Sequence, residues 1–66
     1  MLTDQERMNN AFKEMLYQEE SMSKKYAQLS QEITEPTMQK MLKGMEMAAR
    51  NNYGTLSQKM SSLGIV

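Results

Sequence analysis

Two carboxylates interrupt apolar rows of this chain, and they are the residues whose type and spacing could do chemistry. Glu19 stands between Phe12 and Tyr26 at seven-residue intervals, and Glu46 precedes Tyr53 by the same interval. On the inner face of a helix, such a carboxylate can bind a hard cation or hold a buried polar contact that fixes packing. At the edge of that face it can instead reach water or a hydrogen-bond donor. The pattern therefore makes Glu19 and Glu46 candidate ligands for a hard cation such as Mn²⁺ or Mg²⁺, beside two structural interpretations.

Residue types that usually accompany catalysis are missing. The chain has no Cys and no His, so it lacks thiolate ligands and the commonest general base. Ser21 and Ser23 have no base beside them in the sequence. We therefore expect no catalytic residue, no cofactor and no enzymatic activity. For the two carboxylates we expect hydrogen bonds to Tyr26, Tyr53 or Arg50, or contact with water.

Charge and hydropathy exclude several partner classes. Eight acidic and eight basic residues cancel and are interspersed, so no basic stripe predicts nucleic-acid binding. No segment approaches the roughly 18 apolar residues of a membrane span. The beginning of the chain is polar and acidic, unlike a secretory signal peptide. We expect a soluble, cytoplasmic protein with neither a nucleic-acid nor a membrane partner.

The helix signals predict an all-α hairpin in one domain covering residues 1–66. Thr3 and Glu6 have the spacing of a capping box. Pro36 breaks the first helix and suits the start of a second, which Thr34 or Glu35 would cap. Gly64 is a typical helix terminator. We expect helix one over about 3–33, a turn at 34–35 and helix two over about 36–63, packed antiparallel because the connection is short.

Apolar residues recur along both predicted helices at the spacing of one buried face. We expect this face to form the core and a dimer interface, and the opposite side of helix one to carry Lys13, Glu20, Lys24 and Gln31. The predicted core and interface residues are Met8, Phe12, Met15, Met22, Tyr26, Leu29, Leu42, Met45, Ala49, Tyr53, Leu56 and Met60.

A chain of 66 residues is marginal alone, because small domains bury a smaller fraction of their surface. Two long helices also touch along only one line, which leaves much of each apolar stripe uncovered. Since no disulfide can form, we expect a homodimer of two hairpins that makes a four-helix bundle. The nine Met residues leave one alternative open, an adaptor whose adaptable surface grips a partner helix.

Part of this chain resembles a known superfamily. "NNAFKEMLYQEESMSKKYAQLSQE" resembles the first helix of rubrerythrin-type ferritin-like proteins, and Glu19, Ser21 and Tyr26 match its buried Glu, small polar residue and Tyr. "TEPTMQKML" resembles the Pro-started second helix of that superfamily. Within it, the chain is most similar to the coat protein F type of endospore-forming bacteria. The shared features are "LTD" at 2–4, "YAQ" at 26–28 and the turn at Pro36.

The resemblance implies a small helical hairpin that belongs to the spore coat and contacts other coat proteins. It also implies an Fe or Mn site in which a Glu-x-x-His on helix two completes the ligands begun by Glu19. Counting back from the turn places Glu19 level with residues 49–50. Ala49 and Asn52 then occupy the positions of those ligands. We therefore expect a non-catalytic structural or assembly protein on a ferritin-like scaffold that has lost its metal ligands.

Overall fold

A computed structural model describes residues 2–65 of the chain, which fold into two helices joined by residues 33–35. Helix α1 spans Asp4–Glu32 and helix α2 spans Pro36–Ser62. They run antiparallel and pack on each other as a hairpin. The described residues contain no strand. Each helix end lies within one residue of its predicted position.

Helix α1 begins with the capping box that the sequence predicts. The Thr3 backbone N–H donates to Glu6 Oε1 at 3.1 Å, and the Glu6 N–H donates to Thr3 Oγ1 at 3.1 Å. Two backbone donors that have no partner within the helix are thereby satisfied. Asp4 and Glu6 also place negative charge at the positive end of the helix dipole.

The turn between the helices is fixed by its own hydrogen bonds. The Ile33 N–H donates to the Leu29 carbonyl at 2.9 Å and closes α1. Glu35, one of the two residues expected at this position, caps α2 and accepts from the N–H groups of Thr37 at 3.1 Å and Met38 at 2.7 Å. These hydrogen bonds lower the pKa of Glu35 below its ordinary value, and the one from the Met38 N–H has the larger effect. Pro36 follows as the first residue of α2.

Helix α2 ends in a Schellman motif. Gly64 has φ +73°, a conformation that glycine adopts without a steric penalty. The Ile65 N–H donates to the Met60 carbonyl at 2.8 Å, and the Gly64 N–H donates to the Ser61 carbonyl at 3.2 Å. Ile65 and Met60 are both buried. The prediction that Gly64 terminates this helix is confirmed.

The helices meet along a seam whose positions alternate by three and four residues, as in an antiparallel coiled coil. These positions are buried or half-buried except Tyr53, which is 37% exposed. The seam consists of Asn9, Phe12, Leu16, Glu19, Ser23, Tyr26 and Ser30 of α1 with Gln39, Leu42, Glu46, Ala49, Tyr53, Leu56 and Met60 of α2.

The seam is rotated from the face that hydropathy alone indicates. Of the four residues expected on the outer side of α1, Lys24 and Gln31 are exposed, whereas Lys13 and Glu20 are half-buried beside the seam, so the expectation is wrong for these two. The reason is that small polar residues occupy seam positions. Ser30 is only 4% exposed, and its Oγ donates to the Ala27 carbonyl at 2.8 Å. Gln39 Nε2 reaches across from α2 to the Ser30 carbonyl at 2.8 Å.

The hairpin is a single layer of helices. It measures 49 × 23 × 13 Å. Its radius of gyration of 15.1 Å exceeds the about 11 Å of a compact chain of this length. Only Leu42, Ala49, Met60 and Ile65 are buried apolar residues in the described part, and no side chain there is less than 2% exposed. The two helices therefore share a seam without enclosing a core.

Candidate functional site

A continuous apolar surface lies beside the seam, and we call it the methionine face. Its residues flank the seam on the same side in both helices. Met15, Met22, Met38, Met41 and Met45 are 39–49% exposed. The methionine face consists of Met8, Met15, Met22 and Leu29 of α1 with Met38, Met41, Met45 and Ala48 of α2.

Two adjoining shallow grooves run along the methionine face. Met22 and Met45 line the first groove together with Tyr26 and Ala48. Met15 lines the second, whose other walls include Gln18, Thr55 and Leu56. Glu19 and Asn52 line both grooves. A carboxylate and an amide therefore lie between the methionines of this surface, with the polar Gln18 and Thr55 beside them.

The groove between Met22 and Met45 shows which residues of α2 lie near Glu19, and so tests the level predicted for Glu19 by counting residues from the turn. It brings Glu19 together with Ala49 and Asn52, the residues expected at its level. Ala49 offers no donor atom, and the Asn52 amide is a neutral ligand. Among residues 2–65, no group of three or more His, Cys, Asp or Glu side chains is placed to hold a metal ion.

Glu46 is also a seam residue, but it borders the side of the seam away from the methionine face, whereas Glu19 borders the methionine face. Its Oε2 atom is 2.6 Å from Arg50 Nη2, and its side chain is 19% exposed. Arg50 is one of the three side-chain partners expected for these carboxylates. Glu46 also lines a groove with Lys43 and Met47, whereas Glu19 lines the two grooves on the methionine face. The structure thus does not bring Glu19 and Glu46 together within one hairpin.

The side of the seam opposite the methionine face carries charged residues together with the exposed Met47, and we call its charged residues the charged flank. It consists of Lys13, Glu20, Lys24, Lys43 and Arg50. Lys24 Nζ pairs with Glu20 Oε1 at 3.3 Å. Glu20 and Arg50 line a groove with Ser23 and Tyr53. The charged flank thus has four basic residues and one acidic residue, a composition suited to contact with water.

The predicted core and interface residues fall into two groups. Six of them lie in the seam and are buried or half-buried, and Tyr53 is a more exposed seam residue. The other five lie on the methionine face. The six seam residues are Phe12, Tyr26, Leu42, Ala49, Leu56 and Met60; the five on the face are Met8, Met15, Met22, Leu29 and Met45.

Sequence reasoning missed several seam residues. Asn9, Ser23, Ser30 and Gln39 are polar, so a search for apolar rows passes over them. Leu16 is apolar and follows Phe12 by four residues, but it falls outside the seven-residue rows of the predicted face, and beside the exposed Tyr17 it suggests a surface contact; in the structure it is half-buried. The alternation of three-residue and four-residue steps through Phe12 and Leu16 is the signal that identifies the seam.

Comparison with known proteins does not assign this chain to a family. No protein-family model, curated protein or solved structure matches it. In the described residues, neither helix combines the length and the apolar character that crossing a membrane requires.

Proposed function

We propose that this chain is a non-catalytic structural protein that associates with a second copy through the methionine face. The product is a homodimeric four-helix bundle. The observation that carries the proposal is an uncovered, largely apolar surface that follows α1 and the first half of α2 on one side of the seam. Structural proteins of this kind act through the surfaces they present and the assemblies they form.

The area that the hairpin leaves exposed supports a second copy as the partner. The hairpin exposes 5116 Å², whereas a compact folded chain of its mass exposes about 4,300 Å². The excess is roughly 800 Å², the area that each partner contributes to a standard protein interface. A second copy that covers the methionine face would bury an area of this order.

The shape and chemistry of the face favour a second copy as the occupant. The hairpin is 23 Å wide but only 13 Å thick, so two stacked layers give a cross-section with nearly equal sides, as in a four-helix bundle. Methionine side chains are flexible and fill irregular spaces between helices. The two layers then enclose the core that one hairpin lacks.

We propose further that this bundle is a ferritin-like scaffold without its metal ligands and that it serves in the spore coat. This part rests on the sequence resemblance at Glu19, Ser21, Tyr26 and Pro36. The grouping of Glu19 with Ala49 and Asn52 supports the loss of ligands. Fractionation of spores that carry a tagged copy of the protein tests the proposed location in the spore coat. Recovery with the coat layer is expected, and recovery only in the soluble cell fraction would contradict it.

Two methionines of α2 allow a matched test of the dimer. Met45 lies on the methionine face, whereas Met47, which is 65% exposed, lies towards the charged flank. Met45→Glu places two unpaired charges in each interface, so we expect the dimer dissociation constant to rise about 100-fold or more. Met47→Glu should leave the dimer intact. Native mass spectrometry at several concentrations measures both variants.

Three results of that experiment would overturn the dimer proposal. The first is a wild-type chain that is monomeric yet fully helical at high micromolar concentration, the behaviour of an adaptor awaiting a partner helix. The second is an equal loss of dimer in both variants. The third is a dimer that Met45→Glu does not weaken.

A further inference from the structure

We propose that the methionine face is a site of reversible oxidation, at which hydroperoxides convert methionine thioethers to sulfoxides and thereby prevent two copies from associating. This inference rests on the proposed dimer and adds the chemistry that controls it. Two observations carry it: the type of apolar residue that occupies each surface, and the exposure of those residues in the single hairpin.

Methionine is concentrated on one surface of the hairpin. Six of the nine methionines lie on the methionine face, whereas Met60 is the one methionine of the seam. The other apolar seam positions hold leucine, alanine or an aromatic residue, as at Leu16, Leu42 and Phe12. Leucine matches methionine in helix propensity and replaces it in packed cores at small cost. Burial in a dimer therefore does not by itself select methionine, whose thioether adds flexibility and a reactive sulfur.

The oxidation needs only the thioether and the oxidant. A sulfur lone pair attacks one oxygen of hydrogen peroxide, the O–O bond breaks, and a proton passes from the transferred oxygen to the departing hydroxide. The sulfur is oxidised by two electrons and gains an S=O bond, while the peroxide is reduced to water. Methionine sulfoxide reductases reverse the change. The sequence contains no Cys, so no thiolate of the chain competes for the oxidant.

The sulfurs of the face are accessible only while the face is uncovered. Five of its methionines are 39–49% exposed in the single hairpin, whereas Met60 in the seam is 8% exposed. A second copy would cover the five, and dissociation would uncover them. The hairpin is therefore the form that reacts, and the dimer is the form that is protected. The five residues are Met15, Met22, Met38, Met41 and Met45.

A sulfoxide on the methionine face opposes association. The S=O oxygen is a strong hydrogen-bond acceptor, and the eight residues of the face carry no side-chain donor. A second copy presents the same face, so a buried sulfoxide finds a donor only in a bordering residue such as Asn52. Burying a polar group without a partner disfavours the complex. Since each methionine occurs twice in the dimer, oxidation of two or three of them should raise the dissociation constant about 100-fold or more.

Met47 provides a control within the molecule. It is 65% exposed and lines a groove with Lys43, Glu46 and Arg50 on the other side of the seam. Its exposed sulfur should oxidise at least as fast as those of the methionine face. Because a sulfoxide at this position stays in contact with water, it should leave the dimer unchanged.

Partial oxidation of the wild-type chain tests the proposal without any substitution. The protein is treated with hydrogen peroxide until about one or two sulfoxides form per chain, and catalase then removes the oxidant. Size-exclusion chromatography separates monomer from dimer, and peptide mass spectrometry locates the sulfoxides in each fraction. Sulfoxides of the methionine face should be enriched in the monomer, and the Met47 sulfoxide should be distributed equally. Methionine sulfoxide reductases acting on both sulfoxide epimers, with dithiothreitol, should restore the dimer.

Leucine variants give an independent test. A variant with leucine at all six methionines of the face keeps an apolar surface but has no oxidisable sulfur there. Its dimer should persist after full oxidation, whereas the dimer of the matched control Met47→Leu should be lost like that of the wild type. Circular dichroism checks that both variants are helical. The six substitutions are Met8→Leu, Met15→Leu, Met22→Leu, Met38→Leu, Met41→Leu and Met45→Leu.

The outcomes separate this proposal from the dimer on which it rests. A wild-type dimer that persists with sulfoxides on its methionine face would overturn the oxidation site and leave the dimer standing. So would oxidation of Met47 with no oxidation of the face at concentrations where the hairpin is monomeric, or equal enrichment of all sulfoxides in the monomer. An untreated wild-type chain that is monomeric at high micromolar concentration would overturn both.

Discussion

The methionine face and the charged flank border the same seam, yet they differ in almost every property. One presents Met15, Met22, Met38 and Met45, and the other presents Lys13, Glu20, Lys43 and Arg50. Both groups occupy positions next to a coiled-coil seam and are partly exposed. Packing within the hairpin therefore does not explain the difference. The contrast is what the proposed dimer would explain, with one side covered by a second copy and the other in contact with water.

Exchanging residue types between the two sides should have the largest effect. Met38→Lys introduces a charge into the methionine face, and we expect the dimer to weaken by about 100-fold or more. The reciprocal Lys43→Met change on the charged flank should leave dimerisation within a factor of about three. Analytical ultracentrifugation of both variants measures the asymmetry. Equal effects on the two sides would contradict the account.

The seam supports both sides, so damage to it should act on folding. Leu42 is 6% exposed and is among the best-buried apolar side chains described. Leu42→Ala should lower the free energy of unfolding by about 2–3 kcal/mol, since a cavity replaces the lost contacts. Urea unfolding at fixed protein concentration measures the change. A loss below about 0.5 kcal/mol would mean that the seam is not the main packing contact.

The turn contributes a smaller effect that depends on pH. Hydrogen bonds from Met38 and Thr37 lower the pKa of Glu35 in the folded chain. A carboxyl group with a lowered folded pKa stabilises the fold above its unfolded pKa, and this contribution is lost as pH falls through the folded value. Glu35→Gln should therefore reduce the melting temperature at pH 7 and have less effect near pH 3. An equal effect at both values would contradict the cap.

The ion pairs of the charged flank should contribute least. The Lys24 side chain is 76% exposed and that of its partner Glu20 is 43% exposed, so water screens their ion pair. Lys24→Ala, which removes the pair with Glu20, should change the free energy of unfolding by less than about 0.5 kcal/mol. Thermal melts at low and high salt measure this. A larger loss would assign the charged flank a structural role.

The sequence was sufficient to predict the hairpin because local signals define its ends. The capping box at Thr3, the proline at position 36 and the terminating Gly64 all act through neighbouring backbone groups, so a single sequence contains the information. The inner face was harder to place. Ser23 and Ser30 fill seam positions through contacts with the backbone and α2, and hydropathy assigns such residues to the surface.

The candidate site was predicted in part for a related reason. The methionine rows were found as apolar patterns, and the level of Glu19 with Ala49 and Asn52 followed from counting across a short turn. The division of those residues between the seam and the methionine face could not be predicted from the sequence. It depends on a rotation of each helix by a fraction of a turn, which only the packed pair fixes.

The central claim is that one hairpin is half of the folded unit, and the mass of the wild-type protein in solution tests it most directly. Sedimentation equilibrium over a hundredfold range of concentration should give a species of twice the chain mass of 7.6 kDa, with helical content falling as the dimer dissociates. A single species of 7.6 kDa that stays fully helical and unfolds cooperatively at every concentration would contradict the account.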